Sequence, residues 1–145
     1  MLDNNSFLPV SIQEICPTLS YSFECRYSGI AQFVDILLIR FSGKYRYGSA
    51  GSDDALLIDG VIKMGMTLFD PNALIIDLRE MSYEWGDNLD LSFGSSAVKT
   101  TVVVGVKCRK AMSTLAYGLE SKQDIVDNDF FFDDLEAAIS NICNH

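Results

Sequence analysis

The chain has 145 residues and a net charge of −9, with 11 Lys and Arg against 20 Asp and Glu. Its 48% hydrophobic and 21% charged content is ordinary globular usage, and one domain of this length buries a core without disulfide staples. So acidic a surface repels phosphate backbones and anionic headgroups, which argues against nucleic acid or a membrane surface as the partner.

Residues 1–20 mix Asn, Ser, Pro9 and Pro17 with scattered apolar residues, the pattern of an irregular arm with one short element around Val10–Ile15. Tyr21, Phe23, Cys25 and Tyr27 alternate and predict a strand, which, if exposed, offers an edge for pairing with a second copy. Phe33–Tyr47 holds the run Ile36-Leu37-Leu38-Ile39, suited to a strand buried on both faces, with Gly43 interrupting it. Ser52-Asp53-Asp54 reads as a helix start, Ser52 as the cap and the two aspartates at the positive end of the dipole. Leu57, Val61, Met64 and Leu68 form the expected apolar stripe, and Asp59 and Lys63 an i,i+4 pair on the wet face. Asp70-Pro71-Asn72 ends the helix. Ala73–Leu78 is a second apolar strand, followed by the loop Tyr83–Asn88 and a short helix through Leu89, Leu91 and Phe93. Gly94-Ser95-Ser96 is a break, Thr100–Val106 a β-branched strand, and Cys108–Ala116 a helix before Gly118. Leu119–Phe132 is mixed and acidic. A last helix starts near Asp133-Asp134, with Leu135, Ala138, Ile139 and Ile142 on one face.

This order of elements predicts one α/β domain over residues 1–145. It has a mixed sheet, mostly parallel in the centre, with three to four helices packed on it. Residues 1–30 form an arm and edge strand, and residues 35–142 the core.

The four cysteines, Cys16, Cys25, Cys108 and Cys143, contain no C-x-x-C pair. The opening Met1-Leu2-Asp3-Asn4-Asn5 is polar and acidic, unlike a signal peptide, so the cysteines read as reduced thiols in a cytoplasmic protein. No apolar run approaches the ~20 residues that span a bilayer. His145 is the only histidine and the last residue, which leaves no Ser-His-Asp or Cys-His machinery and no His-based metal site.

Several stretches, in this order, resemble the STAS domain of bacterial anti-sigma-factor antagonists and sulfate transporters. Ile36–Gly43 resembles that family's strand ending in a Ser-Gly bend, and the helix Asp53–Leu68 follows at the usual distance. Leu74-Ile75-Ile76-Asp77-Leu78 resembles its central strand. Val102–Gly105 and Arg109–Leu115 resemble its next strand and helix, and Gly118-Leu119 with Phe132–Ala138 its closing segment. The resemblance implies a STAS-like fold and a loop after the central strand that meets a partner. In the antagonists that loop carries an Asp-Ser-Ser-Gly type motif with a phosphorylated serine. Here Trp85-Gly86-Asp87-Asn88 stands there, without a hydroxyl and with Asp87 as a fixed negative charge. One carboxylate only partly imitates a phosphoserine of about −1.5 to −2 charges.

Four stretches are candidates for function. The loop around Glu84, Trp85, Asp87, Asn88 and Asp90 holds the only tryptophan among carboxylates, a suitable anchor for a basic partner; alternatively, Trp85 plugs the core. Gly43–Ser52, with Lys44 and Arg46 before a helix start, has the character of a phosphate-cradling loop without being a Walker motif, or is a twisted strand end. The acidic stretch Asp124–Glu136 encloses Phe130-Phe131-Phe132. It fails the spacing of a calcium loop, because Phe132 falls where glycine is needed. One phenylalanine is expected in the core and a second in an exposed apolar patch. In Lys107-Cys108-Arg109-Lys110, neighbouring cations lower the thiol pKa if Cys108 is accessible.

The expectation from charge, size and the missing phosphoacceptor is a non-enzymatic binding protein with no cofactor or metal. It holds a basic protein, as a bacterial immunity protein holds a cationic toxin. The alternatives are an anti-sigma-factor antagonist that binds a kinase-like partner, as the resemblance implies, and an enzyme using Lys44 and Arg46 on a small phosphorylated molecule.

Overall fold

In the computed structural model, which describes residues 6–29, 32–93 and 98–144, the apolar runs assemble into one five-stranded sheet. β1 (Leu19–Tyr27) pairs antiparallel with β2 (Val34–Lys44). β3 (Ala73–Ser82), β4 (Lys99–Val104) and β5 (Phe131–Phe132) then add in parallel, each beside the strand before it. The helices are α1 (Ile12–Ile15), α2 (Gly51–Phe69), α3 (Arg109–Tyr117) and α4 (Leu135–Cys143). The fold is therefore α/β, with a mixed, mostly parallel sheet. Among the described residues no helix is long and apolar enough to cross a membrane.

Strand alternation distributes the core over two faces. Leu37, Ile39, Leu74, Ile76, Val102 and Val104 point to the face covered by α2 and α3, where Ile58, Val61, Ile62 and Met112 meet them. Ile36, Ile75 and Val103 point to the other face, under Ala138 of α4 with Leu135, Ile139 and Ile142 around it. The continuous Ile36–Ile39 run is needed because β2 is covered on both sides. β4 is likewise buried from Thr100 to Val104.

Beyond the end of α4 the sheet carries a buried charge. Asp77 is fully buried and accepts hydrogen bonds from the Arg79 guanidinium (2.8 and 2.9 Å) and from Arg40 Nε (3.0 Å). Burial alone raises the Asp77 carboxyl, but the Arg79 and Arg40 hydrogen bonds outweigh it and hold the pKa below the ordinary value.

Several local expectations are corrected. The buried stripe of α2 is Asp54, Ile58, Val61, Ile62 and Gly65, while Met64 and Leu68 are exposed and Leu57 half-buried. The helix is rotated because Gly65 admits Phe23, Leu37 and Ile39, whose atoms lie 2.9–3.2 Å from where a Cβ would stand. Ser52 is not the cap. A 3-10 turn over Gly48–Ala50 runs into α2, so Ser52 already lies in the first helical turn. Gly43 does not interrupt β2. It stays in the strand at φ +101, with the Thr18 backbone packed where a side chain would sit. The stretch Leu89–Phe93 forms turns rather than a helix; Leu89 and Phe93 are buried on the α2 face, and Asp90 hydrogen-bonds Ser92 locally. The Gly94-Ser95-Ser96 break lies outside the described residues. The Asp59–Lys63 pair forms at 2.7 Å, Asp70 caps α2 in the left-handed region, and Asp134 caps α4 by accepting from the Ala137 N–H.

Candidate functional site

Because β2 and β3 are parallel and pair as far as Lys44 with Ser82, their following loops leave the sheet side by side. Two sequence candidates, Gly43–Ser52 and Glu84–Asp90, are thereby brought into one structure. The Tyr45 N–H donates to the Ser82 carbonyl at 2.8 Å, and the Asp87 N–H to the Gly48 carbonyl at 2.9 Å. The fully buried Tyr45 ring lies edge-on to Tyr83, and its hydroxyl donates to the Asp87 carbonyl at 2.6 Å. Burial raises the Tyr45 hydroxyl pKa well above its ordinary value, so it remains a donor at any physiological pH. Gly86 and Gly51 bracket this ring: a Cβ on either would lie 2.8 or 2.7 Å from a Tyr45 ring carbon.

A second clamp holds the first loop. Asp54, fully buried in α2, accepts the Arg46 backbone N–H at 2.8 Å and the Arg46 guanidinium at 3.0–3.3 Å. The same guanidinium donates to the Ile15 carbonyl at 2.8 Å, which ties the N-terminal arm to the loop.

On this base stands an aromatic pair. Trp85 is 57% exposed and Tyr47 39%, their rings stacked at 5.4 Å between centroids and 10° between planes. The Tyr47 hydroxyl donates to Glu84 Oε2 at 2.7 Å, and Lys44 Nζ lies 4.0 Å from the Tyr47 ring centroid. Gly48, at φ +58, passes under the Trp85 ring edge, 3.4 Å from where its Cβ would be. Asn88 donates to Ser52 Oγ at 2.8 Å, fixing the second loop to the first turn of α2. Glu84, Asp87 and Asp90 are exposed, and Asp87 makes no ion pair among the described residues. Trp85 therefore does not plug the core; it is a solvent-facing ring on a hydrogen-bonded seat, with Glu84 bound to its Tyr47 partner and Asp87 exposed in the same loop, whereas Asp90 turns to Ser92 and lines a small cleft along α2 with Ala55, Asp59 and Ile62.

The other candidates resolve differently. Arg46 is committed to Asp54, so Lys44 is the cation left in the first loop for an anionic ligand. Asp124 and Asp133 are both bound by Arg109, at 2.8–2.9 Å, and Asp124 and Asp127 complete a capping box; much of the acidic stretch is internal bracing. Phe131 is buried, and Phe130 and Phe132 are half-buried against opposite faces of the sheet, so no phenylalanine there forms an exposed patch. Cys108 is buried and its thiol faces the Leu78 and Gly105 carbonyls at 3.6–3.7 Å. Burial pushes its pKa up, the reverse of the effect expected from its cationic neighbours in sequence. Among the described residues no group of His, Cys, Asp and Glu is placed to hold a metal ion.

Sequence reasoning missed Tyr47 as the partner of Trp85, and Tyr45, Arg46 and Asp54 as the seat. Strand alternation would have put Tyr45 and Tyr47 on one face; β2 ends at Lys44, and only the path of the following loop buries Tyr45 and exposes Tyr47, so local pattern carried no signal for the pair. Comparison of the chain with protein-family models, curated proteins and solved structures finds no match.

Proposed function

We propose that this chain is a non-enzymatic protein-binding protein, best described as an immunity protein that neutralises a basic toxin domain by covering it. The observation that carries this reading is the exposed Trp85 ring, stacked on Tyr47 and held by two hydrogen-bonded loops, one of which also carries Glu84, Asp87 and Asp90. An aromatic ring already ordered before binding loses little entropy on contact, which is the character of a binding hot spot. Carboxylates in the same loop suit Lys and Arg on the partner, and the net charge of −9 accelerates encounter with a cationic surface. Contact is assigned to Glu84, Trp85, Asp87, Asn88 and Asp90, with Tyr47 supporting the ring. The test is co-expression with the toxic domain encoded in the adjacent reading frame, with the affinity measured in parallel. Trp85→Ala should weaken binding by about 30-fold, equivalent to ~2 kcal/mol, and Glu84→Lys with Asp87→Lys severalfold more at low salt than at high salt. Full protection by all of these variants refutes the assignment.

A second reading is a STAS-type antagonist that binds a kinase-like anti-sigma factor through the same loop. It draws support from the exposed position of Asp87 in the loop after β3, where the resemblance puts the phosphoacceptor. Phosphate incorporation on incubation with a neighbouring kinase and ATP favours this reading over the first.

A further inference from the structure

We propose that the free edge of β1 pairs with β1 of a second copy of this chain, antiparallel, about a two-fold axis through Cys25. β1 ends the sheet on one side, with β2 as its strand neighbour. The direction of its free hydrogen-bonding groups follows from two contacts. Lys44 N–H donates to the Thr18 carbonyl and Ser28 N–H to the Phe33 carbonyl, so the even-numbered residues from 18 to 28 turn their backbone groups toward β2. The odd-numbered residues Leu19, Tyr21, Phe23, Cys25 and Tyr27 turn theirs outward.

Edges of this kind are ordinarily blunted by a proline, by charged side chains, lysine above all, or by a mid-strand bulge. β1 has no proline or lysine, its charges Glu24 and Arg26 are of opposite sign and already paired with Arg40 and Asp35, and its single irregularity lies at the Arg26–Tyr27 end. A strand that continues the ladder satisfies the outward groups.

Charge selects the occupant and the register. Glu24 pairs with Leu38 and Arg26 with Ile36, so both side chains lie on the α4 face of the sheet. An axis through Cys25 sets Glu24 of each copy opposite Arg26 of the other, and Phe23 opposite Tyr27 on the α2 face. An axis through Glu24 instead opposes two glutamates, and one through Phe23 leaves both charges facing serines. The chosen register lengthens an existing chain of charges. Glu24 already lies 3.1 Å from Arg40, which binds Asp77, and Arg26 lies 2.7 Å from Asp35. The exposed rings of Tyr27 and the half-buried Phe23 gain cover in the same step. Isologous pairing of this kind closes on itself and leaves neither β1 edge free to propagate a fibre.

The test uses the intact chain. Size-exclusion chromatography with light scattering should give twice the 16.1 kDa protomer mass. Glu24→Arg and Arg26→Glu should each raise the dissociation constant about tenfold by opposing like charges, and the two together should restore dimerisation. Circular dichroism verifies that each variant folds. In a Cys143→Ser background, Cys25 of the two copies, with Cα atoms about 5.5 Å apart in such a pair, should be joined by a short thiol-reactive cross-linker. A monomer at every accessible concentration overturns the proposal. So does a dimer indifferent to the charge reversals, or one whose cross-linking requires Cys143. None of these outcomes bears on the Trp85 site, which lies at the strand ends and not along the β1 edge.

Discussion

The Asp54–Arg46 clamp offers a sharp quantitative test. Replacing Asp54 by Ala removes the acceptor of the Arg46 backbone N–H and the guanidinium contacts at 3.0–3.3 Å. Breaking a buried ion pair from one side costs about 3–5 kcal/mol, because the remaining charge is left without compensation. Arg46 retains 22% side-chain exposure and its bond to the Ile15 carbonyl, so it can partly rehydrate, and the lower end, about 3 kcal/mol, is expected. That is a large share of the 5–15 kcal/mol that holds a typical domain. Urea denaturation followed by the fluorescence of Trp85, the only tryptophan, reads both stability and the integrity of the platform. Arg46→Met should cost less than Asp54→Ala, since it leaves the backbone N–H bonded to Asp54. The double variant Arg46→Met with Asp54→Leu should be less destabilised than the sum of the single changes, because neither charge remains buried alone. Asp54→Ala within ~0.5 kcal/mol of the parent, with unchanged Trp85 emission, refutes the claim that this pair seats the loop.

Two further predictions concern the seat and the buried carboxylate. Gly86→Ala drives a methyl group into the Arg46 carbonyl and the Tyr45 ring; a loss of about 1–3 kcal/mol is expected, with a shift in Trp85 emission. Gly60→Ala, in the middle of α2 with open space around its Cβ, should instead stabilise by ~0.5–1 kcal/mol, and thermal melts of the pair separate steric clash from glycine entropy. Asp77 has a folded pKa held below its unfolded value of 3.8, so its stabilising contribution is present above that pH and is lost as the pH falls through the lower folded value. Melting temperatures measured from neutral to acidic pH should therefore fall more steeply for the parent than for Asp77→Asn, which starts less stable at neutral pH. Parallel acid limbs for the two proteins contradict the depressed pKa.

The amino-acid sequence determined the elements themselves. The runs Ile36–Ile39, Ala73–Leu78 and Thr100–Val104 are short, apolar or β-branched and bounded by turn signals, the pattern of buried strands rather than of helices. The face of α4 was equally legible, because Leu135, Ala138, Ile139 and Ile142 leave it one way to pack. α2 is apolar on more than one side, so its periodicity admitted two stripes, and the small Gly65 against Phe23, Leu37 and Ile39 decided between them. The short stretch Leu89–Phe93 carried too little pattern to separate a helix from buried turns, and tertiary packing of Leu89 and Phe93 settled it. The platform lay furthest from view. Tyr47 and Trp85 are far apart in the chain, and they meet only because β2 and β3 run parallel and release their loops at one end of the sheet. Charge behaved the same way. Composition showed an acidic protein, but which carboxylates remain free and which are taken up by Arg46, Arg40, Arg79 and Arg109 depends on distances of about 3 Å that arise when separate segments are brought together.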